Sequence, residues 1–89
     1  MKDVTIQVVS ASVPVRFFTT ATVLANGSVH PHASNTGDIL IGATSGSEGI
    51  VLNTGDSGYP LAPWVDAYTL YVNSTNVSNQ AVLLYDGID

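Results

Sequence analysis

Residues 34–42 read Ser-Asn-Thr-Gly-Asp-Ile-Leu-Ile-Gly, and this stretch decides the class of fold. Its first five residues favour a turn, because glycine accepts a positive φ and Asn, Asp and Ser side chains bond nearby backbone amides. The next four, Ile39 to Gly42, are apolar throughout and too few for a helix. Such a run indicates a short strand that is covered on both faces.

The same alternation of turn residues and short apolar runs continues along the chain, and no apolar period of 3.6 residues is sustained. Asn26-Gly27 is the strongest signal for a two-residue hairpin, and Gly55 to Gly58 are expected to form a hairpin-like corner. Residues 62–66 are rich in proline and are expected to form one helical turn. The strand-like runs cover about residues 3–10, 13–19, 23–25, 28–33, 39–42, 49–52, 59–61, 67–72 and 80–85.

These runs predict an all-β fold of seven to eight short antiparallel strands, either a small β-sandwich or a jelly-roll-like barrel. The 89 residues are expected to form one domain over residues 1–89, with residues 1–3 as a candidate N-terminal arm. Pro14 cannot donate to a β-ladder, which places it at the start of a strand or on an edge strand.

The charge of the chain excludes some classes of partner. Only 10% of its residues are charged, and two cations against seven acids give a net charge of −5. Nucleic-acid binding needs basic side chains that replace counterions along the phosphates, so no nucleic-acid partner is expected. No apolar stretch approaches membrane-spanning length, and no membrane partner is expected. A small protein with so few charges and no cysteine is expected to gain stability and solubility from contacts in an assembly.

Gly55-Asp56-Ser57-Gly58 is spelled like the motif around a protease serine, and His30, His32 and Asp38 precede it in the order of a His-Asp-Ser triad. A working triad also needs an oxyanion hole and a substrate pocket, for which this chain is too short. The four residues are therefore interpreted as a turn. No enzyme activity, no catalytic residue and no cofactor is expected.

His30-Pro31-His32 places two imidazoles on one side of a strand, opposite Val29, Pro31 and Ala33. A zinc site needs three or four ligands, so the pair by itself predicts no metal site. A three-fold assembly would bring six imidazoles together, but two such histidines are more often surface or interface residues.

Five aromatic side chains raise the alternative of a sugar-stacking platform. Tyr68 shares the face of Leu70 and Val72 and is expected in the core, whereas Tyr71 and Trp64 are expected to be exposed. An exposed tryptophan in a nearly uncharged chain is equally an interface anchor.

The order of motifs from residue 34 onward resembles small virion proteins of tailed bacteriophages. The resemblance rests on residues 34–42, 49–52, 54–57 and 68–72, and it covers roughly residues 20–86. It implies a compact β-sandwich in a phage particle, with the Gly-Asp-Ser run as a turn before a strand. Some members of this group are capsid decoration (cement) proteins. Residues 58–64 are bulkier and richer in proline than the group's pattern.

The resemblance implies a virion protein on the outer surface of the capsid, bound between major capsid protein subunits and self-associated as a homotrimer. Either the strand near Val4–Val9, as an edge, or the N-terminal arm is expected to pair with a capsid strand. Two alternatives remain, a neck, tail or baseplate component and a carbohydrate-binding module for host attachment. The residues expected at the interface are Val4, Ile6, Val13, Phe18, Trp64 and Tyr71.

Overall fold

The computed structural model describes residues 2–43 and 48–87. Within these residues the chain forms eight strands and one short 3-10 helix, Ala67–Thr69. The strands are β1 (Lys2–Gln7), β2 (Val15–Arg16), β3 (Leu24–Pro31), β4 (Ile39–Gly42), β5 (Ile50–Leu52), β6 (Tyr59–Pro60), β7 (Tyr71–Asn73) and β8 (Gln80–Gly87).

Two four-stranded antiparallel sheets pack against each other. Sheet A has the order β1-β8-β3-β6 and sheet B the order β2-β7-β4-β5. Every pair of consecutive strands except β4 and β5 is therefore divided between the two sheets. Eight strands divided in this way form a jelly roll. The predicted all-β sandwich is confirmed.

The core lies between the sheets, and it is filled by alternate residues of each strand. On β8, Ala81 and Leu83 are buried, and their partners on β1 are Ile6 and Val4. Sheet B contributes the buried side chains of Ile39, Ile41, Leu52 and Val72 from its three longer strands. Burying one such aliphatic side chain stabilises the fold by about 1.5–3 kcal/mol.

The hairpin predicted at Asn26-Gly27 is wrong, because both residues lie inside β3, beside a bulge between Leu24 and Asn26. The glycine is needed for close packing. A Cβ at Gly27 would lie 3.2 Å from Leu24 Cδ1 and 3.3 Å from the Leu84 carbonyl oxygen. Glycine within a strand often marks a place where another chain segment packs closely, and here the preceding asparagine makes the pair identical to a turn dipeptide.

The corner predicted after β5 is not a hairpin. β5 pairs with β4 in sheet B, whereas β6 pairs with β3 in sheet A, so residues 53–58 cross between the sheets. The run predicted as a strand over residues 13–19 is extended only at Val15–Arg16. This two-residue strand is an edge of sheet B and directly follows Pro14, as the proline predicted.

The helical turn predicted at residues 62–66 is displaced to Ala67–Thr69. Asp66 causes the displacement, because its Oδ1 accepts hydrogen bonds from Tyr68 N (3.0 Å) and Thr22 N (2.8 Å). A side-chain acceptor at this position caps the helix and starts it at the next residue. The strand predicted over residues 67–72 consequently begins only at Tyr71.

The candidate N-terminal arm is also corrected. Lys2 and Asp3 pair with Tyr85 and Leu84 as the first residues of β1, and Met1 lies outside the described residues. β1 is an edge strand of sheet A, as predicted.

Candidate functional site

The jelly-roll connections bring four loops to one end of the sandwich, which we call the four-loop end. These loops join β1 to β2, β3 to β4, β5 to β6 and β7 to β8, and each of them crosses from one sheet to the other. Binding residues are often found on such loops when a rigid scaffold holds them in place.

A buried polar network fixes two of these loops. Asn79 is only 2% exposed. Its Oδ1 accepts a hydrogen bond from Thr36 N at 3.0 Å, and its Nδ2 donates to Ser74 Oγ at 3.1 Å. Ser74 Oγ in turn donates to the Asp38 carbonyl oxygen at 2.9 Å. The β3–β4 loop is thus bonded to the β7–β8 loop through side chains that water does not reach.

Asn35 makes a second link between the same loops. Its Nδ2 donates to the Gln80 carbonyl oxygen at 2.8 Å, and its Oδ1 accepts from Gln80 N at 2.7 Å. The side-chain amide therefore pairs with both backbone groups of one residue, as a neighbouring strand would. Satisfied buried networks of this kind make a loop arrangement rigid.

Three exposed valines lie on the β1–β2 and β7–β8 loops, and we call them the valine patch. Val9 is 69%, Val13 50% and Val77 53% exposed. Backbone hydrogen bonds hold the two loops together, from Ser78 N to the Val8 carbonyl oxygen (2.9 Å) and from Ser12 N to the Ser74 carbonyl oxygen (2.8 Å). No charged residue occurs within residues 8–13 or 74–79.

The backbone below the valine patch is strained. Ser12 has a φ of 60° and Ser78 a φ of 77°. Residues with a Cβ rarely adopt this region, and such conformations persist where the surroundings impose them, often at functional sites.

The other two loops of this end carry acidic turns. Asp56 Oδ2 accepts a hydrogen bond from Asn53 N at 2.7 Å, so it closes the turn that was predicted from its sequence. The Asn53 side-chain amide has one orientation in which its oxygen and its nitrogen are both satisfied, and in that orientation the nitrogen donates to the Asp38 carboxylate. Ser57 is exposed, and in residues 2–43 and 48–87 no hydrogen bond joins it to His30, His32 or Asp38.

Each histidine interacts with a nearby serine, His30 within β3 and His32 just after the end of that strand. Ser28 Oγ lies 2.8 Å from His30 Nε2, and Ser34 N donates to His32 Nδ1 at 3.0 Å. The His30 ring also packs directly against Gly58, where a Cβ would overlap it. Across the part of the chain that the structure describes, no three His, Asp or Glu side chains are gathered as metal ligands.

Two of the predicted interface residues are less exposed than expected. Tyr71 is half-buried below the Arg16 guanidinium, whose carbon lies 4.5 Å from the Tyr71 ring centre and 4.0 Å from that of Tyr68. Arg16 Nη2 also donates to the Tyr71 hydroxyl. Tyr68 is therefore a cation–π partner of Arg16 rather than a buried core residue. Phe18 packs edge-to-face on Tyr85, with ring centres 5.6 Å apart.

The remaining predicted interface residues divide into two groups. Val4 and Ile6 point inward and pack on the core, so β1 can offer only its backbone edge and its other face. Val13 and Trp64 are exposed. Trp64 lies at the opposite end from the valine patch, is 67% exposed, and has a left-handed φ of 64°. The backbone N–H of Trp64 donates to the Leu24 carbonyl oxygen at 2.8 Å.

The sequence interpretation did not include Val9 and Val77, nor the network behind them. The sequence did contain one signal for the network, because the tetrapeptide Asn-Thr-Gly-Asp occurs twice, at residues 35–38 and 53–56, and the first copy contributes residues to it. The two copies lie side by side, and Thr54 Oγ1 donates to the carbonyl oxygens of Asn35 (3.3 Å) and Gly37 (3.4 Å).

Comparisons with protein-family models, with curated proteins and with solved structures gave no match. Among the described residues, no helix has the length and apolar character to span a bilayer.

Proposed function

We propose that this chain is a non-catalytic structural protein of a tailed-bacteriophage particle. In its most specific form, it is a decoration protein that binds the outer surface of the capsid between major capsid protein subunits. The observation that carries the proposal is the valine patch, an apolar and uncharged surface on two loops that backbone hydrogen bonds join to each other, one of which, the β7–β8 loop, is also fixed by the buried network.

The size of the patch suits a protein that acts in many copies. Transferring one fully exposed valine side chain out of water contributes about 1.5 kcal/mol, so three partly exposed valines contribute roughly 2–3 kcal/mol per copy. A contact of this size binds one isolated molecule weakly. Copies that are linked to one another reach a high overall affinity through avidity. For this reason we propose that three copies associate around each binding position on the capsid.

The rigidity of the loops supports the same function. Ordering flexible loops on binding costs free energy, and loops that are already fixed by Asn35, Ser74 and Asn79 avoid that cost. The remaining surface has few charges to oppose close contacts with a neighbouring protein. Jelly rolls also occur in viral capsid and lectin domains, which is an analogy of fold and not of site.

Rebinding to phage heads tests the proposal. Heads stripped of this protein are mixed with purified wild-type chain or with the triple variant Val9→Ser, Val13→Ser, Val77→Ser. We expect the wild type to bind in a regular array and to raise the temperature at which the heads disrupt, and the variant to bind at least tenfold more weakly. Val51→Ser is the matched control, because Val51 is also 50% exposed but lies on β5.

The alternatives give different results in this experiment. Binding to purified necks, tails or baseplates but not to heads would move the protein to another part of the particle. Equal binding by the triple variant and the wild type would remove the valine patch from the proposal.

A carbohydrate-binding module is the second candidate, because Trp64 exposes an aromatic ring on a constrained backbone. This function predicts that Trp64→Ala abolishes retention on host-cell polysaccharide and leaves head binding unchanged. Absence of any retention by the wild type would contradict it.

A further inference from the structure

Two open sheets have four edges, and three of them are poor templates for another strand. β2 has two residues and β5 has three. β6 also has two residues, one of which is Pro60. The segment after it is interrupted by Pro63 and by Trp64, whose φ is left-handed. Short strands, prolines and irregular backbone are the features by which proteins prevent association at an edge.

β1 lacks these protective features. It has six residues in an uninterrupted register with β8, from Lys2 opposite Tyr85 to Gln7 opposite Gln80, and no proline. Its two charges, Lys2 and Asp3, are both at one end. β8 pairs with one side of the β1 backbone, and within residues 2–43 and 48–87 no strand pairs with the N–H and C=O groups on the other side. The ligand that satisfies these groups is another extended backbone.

We infer that β1 pairs antiparallel with β1 of a second copy of this chain, around a two-fold axis that passes through Thr5. Sheet A and its symmetry mate then form one continuous eight-stranded sheet. The pairing closes on itself, because each copy uses the same strand, and no open edge of useful length remains.

The alternation of side chains and the length of the strand favour this register. Val4 and Ile6 point to the core, whereas Asp3, Thr5 and Gln7 are exposed. Pairing Thr5 with Thr5 of the mate places Val4 opposite Ile6 and Asp3 opposite Gln7, so apolar residues meet apolar and polar meet polar. A shift by one residue would place the core face of one copy on the solvent face of the other. Registers centred on Val4 or Ile6 keep the alternation, but the first places Lys2 opposite Ile6 and the second pairs only residues 5–7 of β1.

Charge selects the antiparallel direction. In the two-fold pairing Asp3 faces Gln7, and the two copies of Lys2 lie at opposite ends of the contact. A parallel pairing in register would set Lys2 against Lys2 and Asp3 against Asp3. Like charges directly opposite each other destabilise a strand pair.

This inference does not depend on the proposed function. A trimer on a capsid would form through other surfaces, and β1 pairing would then link one trimer to the next. Failure of head binding therefore leaves the pairing intact, and failure of the pairing leaves the valine patch intact.

Single-cysteine variants test the pairing without background, since the natural chain has no cysteine. Thr5→Cys places two thiols opposite each other across the axis, where Cα atoms of paired residues lie about 4.5–5.5 Å apart and a disulfide fits. Asp3→Cys is the matched control on the same exposed face. Its thiol lies four residues from its symmetry mate along the strand, about 13 Å away. Under mild oxidation we expect Thr5→Cys to form a covalent dimer at least tenfold faster than Asp3→Cys.

Light scattering with size exclusion gives a second measurement. We expect the wild type to have the mass of two chains, or a multiple of it. Thr5→Lys places two ammonium groups opposite each other across the axis and changes nothing else on the exposed side of β1. This variant should lose the β1 contact and have a smaller mass than the wild type. Thr20→Lys, at an exposed position away from β1, should retain the wild-type mass. A monomeric wild type, a complex that persists in Thr5→Lys, or equal cross-linking of the two cysteine variants would overturn the inference.

Discussion

Replacing Asn79 with alanine tests whether buried side-chain hydrogen bonds hold the four-loop end together. The substitution removes the acceptor of Thr36 N (3.0 Å) and the donor to Ser74 Oγ (3.1 Å), together with a weaker contact to Thr36 Oγ1 (3.4 Å). Losing a hydrogen bond to a buried group costs about 1–3 kcal/mol when its partner remains unpaired. Thr36 lies at the surface and can bond water, and Ser74 Oγ keeps other partners. Because the partners are not left unpaired, each of the two lost hydrogen bonds costs about 1 kcal/mol, and the space left by the buried amide adds to this, so the expected loss in free energy of unfolding is about 2–3 kcal/mol.

This loss is large for so small a protein. A chain of 89 residues has a total stability of roughly 4–13 kcal/mol, and each kcal/mol shifts its Tm by about 4–8 °C. We expect Asn79→Ala to lower the Tm by about 10–20 °C. Differential scanning calorimetry and urea titration followed by tryptophan fluorescence measure the change.

Asn76→Ala is the matched control, because Asn76 lies on the same loop and is exposed, and among the described residues its side-chain oxygen accepts only a 3.3 Å contact from Thr75 Oγ1. Its stability should change by less than about 0.5 kcal/mol. Asn79→Ala and Ser74→Ala should also be non-additive, since they remove the two ends of one hydrogen bond. The reasoning is refuted if Asn79→Ala is no more destabilising than Asn76→Ala.

Two further substitutions test local features of the fold. Gly58→Ala should destabilise the protein by about 1–3 kcal/mol, because its new Cβ overlaps the His30 ring, and His30→Ala in the same chain should restore most of that loss in urea titrations; a cost that persists in the double variant would assign it to the backbone of Gly58 instead. Asp66→Ala should cost about 1–2 kcal/mol by leaving Thr22 N and Tyr68 N without their acceptor, whereas Asp66→Asn, which keeps the oxygen, should cost less than half as much in the same calorimetric measurement; equal losses in both variants would show that the carboxylate acts through its charge.

Short-range sequence pattern was sufficient to predict the all-β class and several of the strands. The apolar run Ile39–Gly42 became β4, and the run over residues 80–85 became the first six residues of β8. The edge position of Pro14 also followed from one residue and its neighbours. These features depend on side-chain size, on the missing N–H of proline and on the two-residue period of a strand, all of which are local.

Candidate-site residues were less accessible to this reasoning. Trp64 and Val13 are exposed as predicted, but Tyr71 and Phe18 are partly covered by Arg16 and Tyr85, which lie far away in the sequence. Of the valine patch only Val13 was predicted, because the loops that carry Val9 and Val77 come together only when β1 and β8 pair.

The amino-acid sequence by itself determined that the chain is all-β, which residues favour turns, and which side of each long strand is apolar. Tertiary structure alone decided the sheet to which each strand belongs, the jelly-roll order, the use of Gly27 inside a strand, and the bonding of the β3–β4 loop to the β7–β8 loop through Asn79. The physical reason is that a strand makes its backbone hydrogen bonds to other strands, and the packing of the whole core decides which strands those are. Neighbouring residues in the sequence do not determine those partners. The same dipeptide, Asn-Gly, therefore forms a hairpin turn in one chain and lies inside a strand in this one.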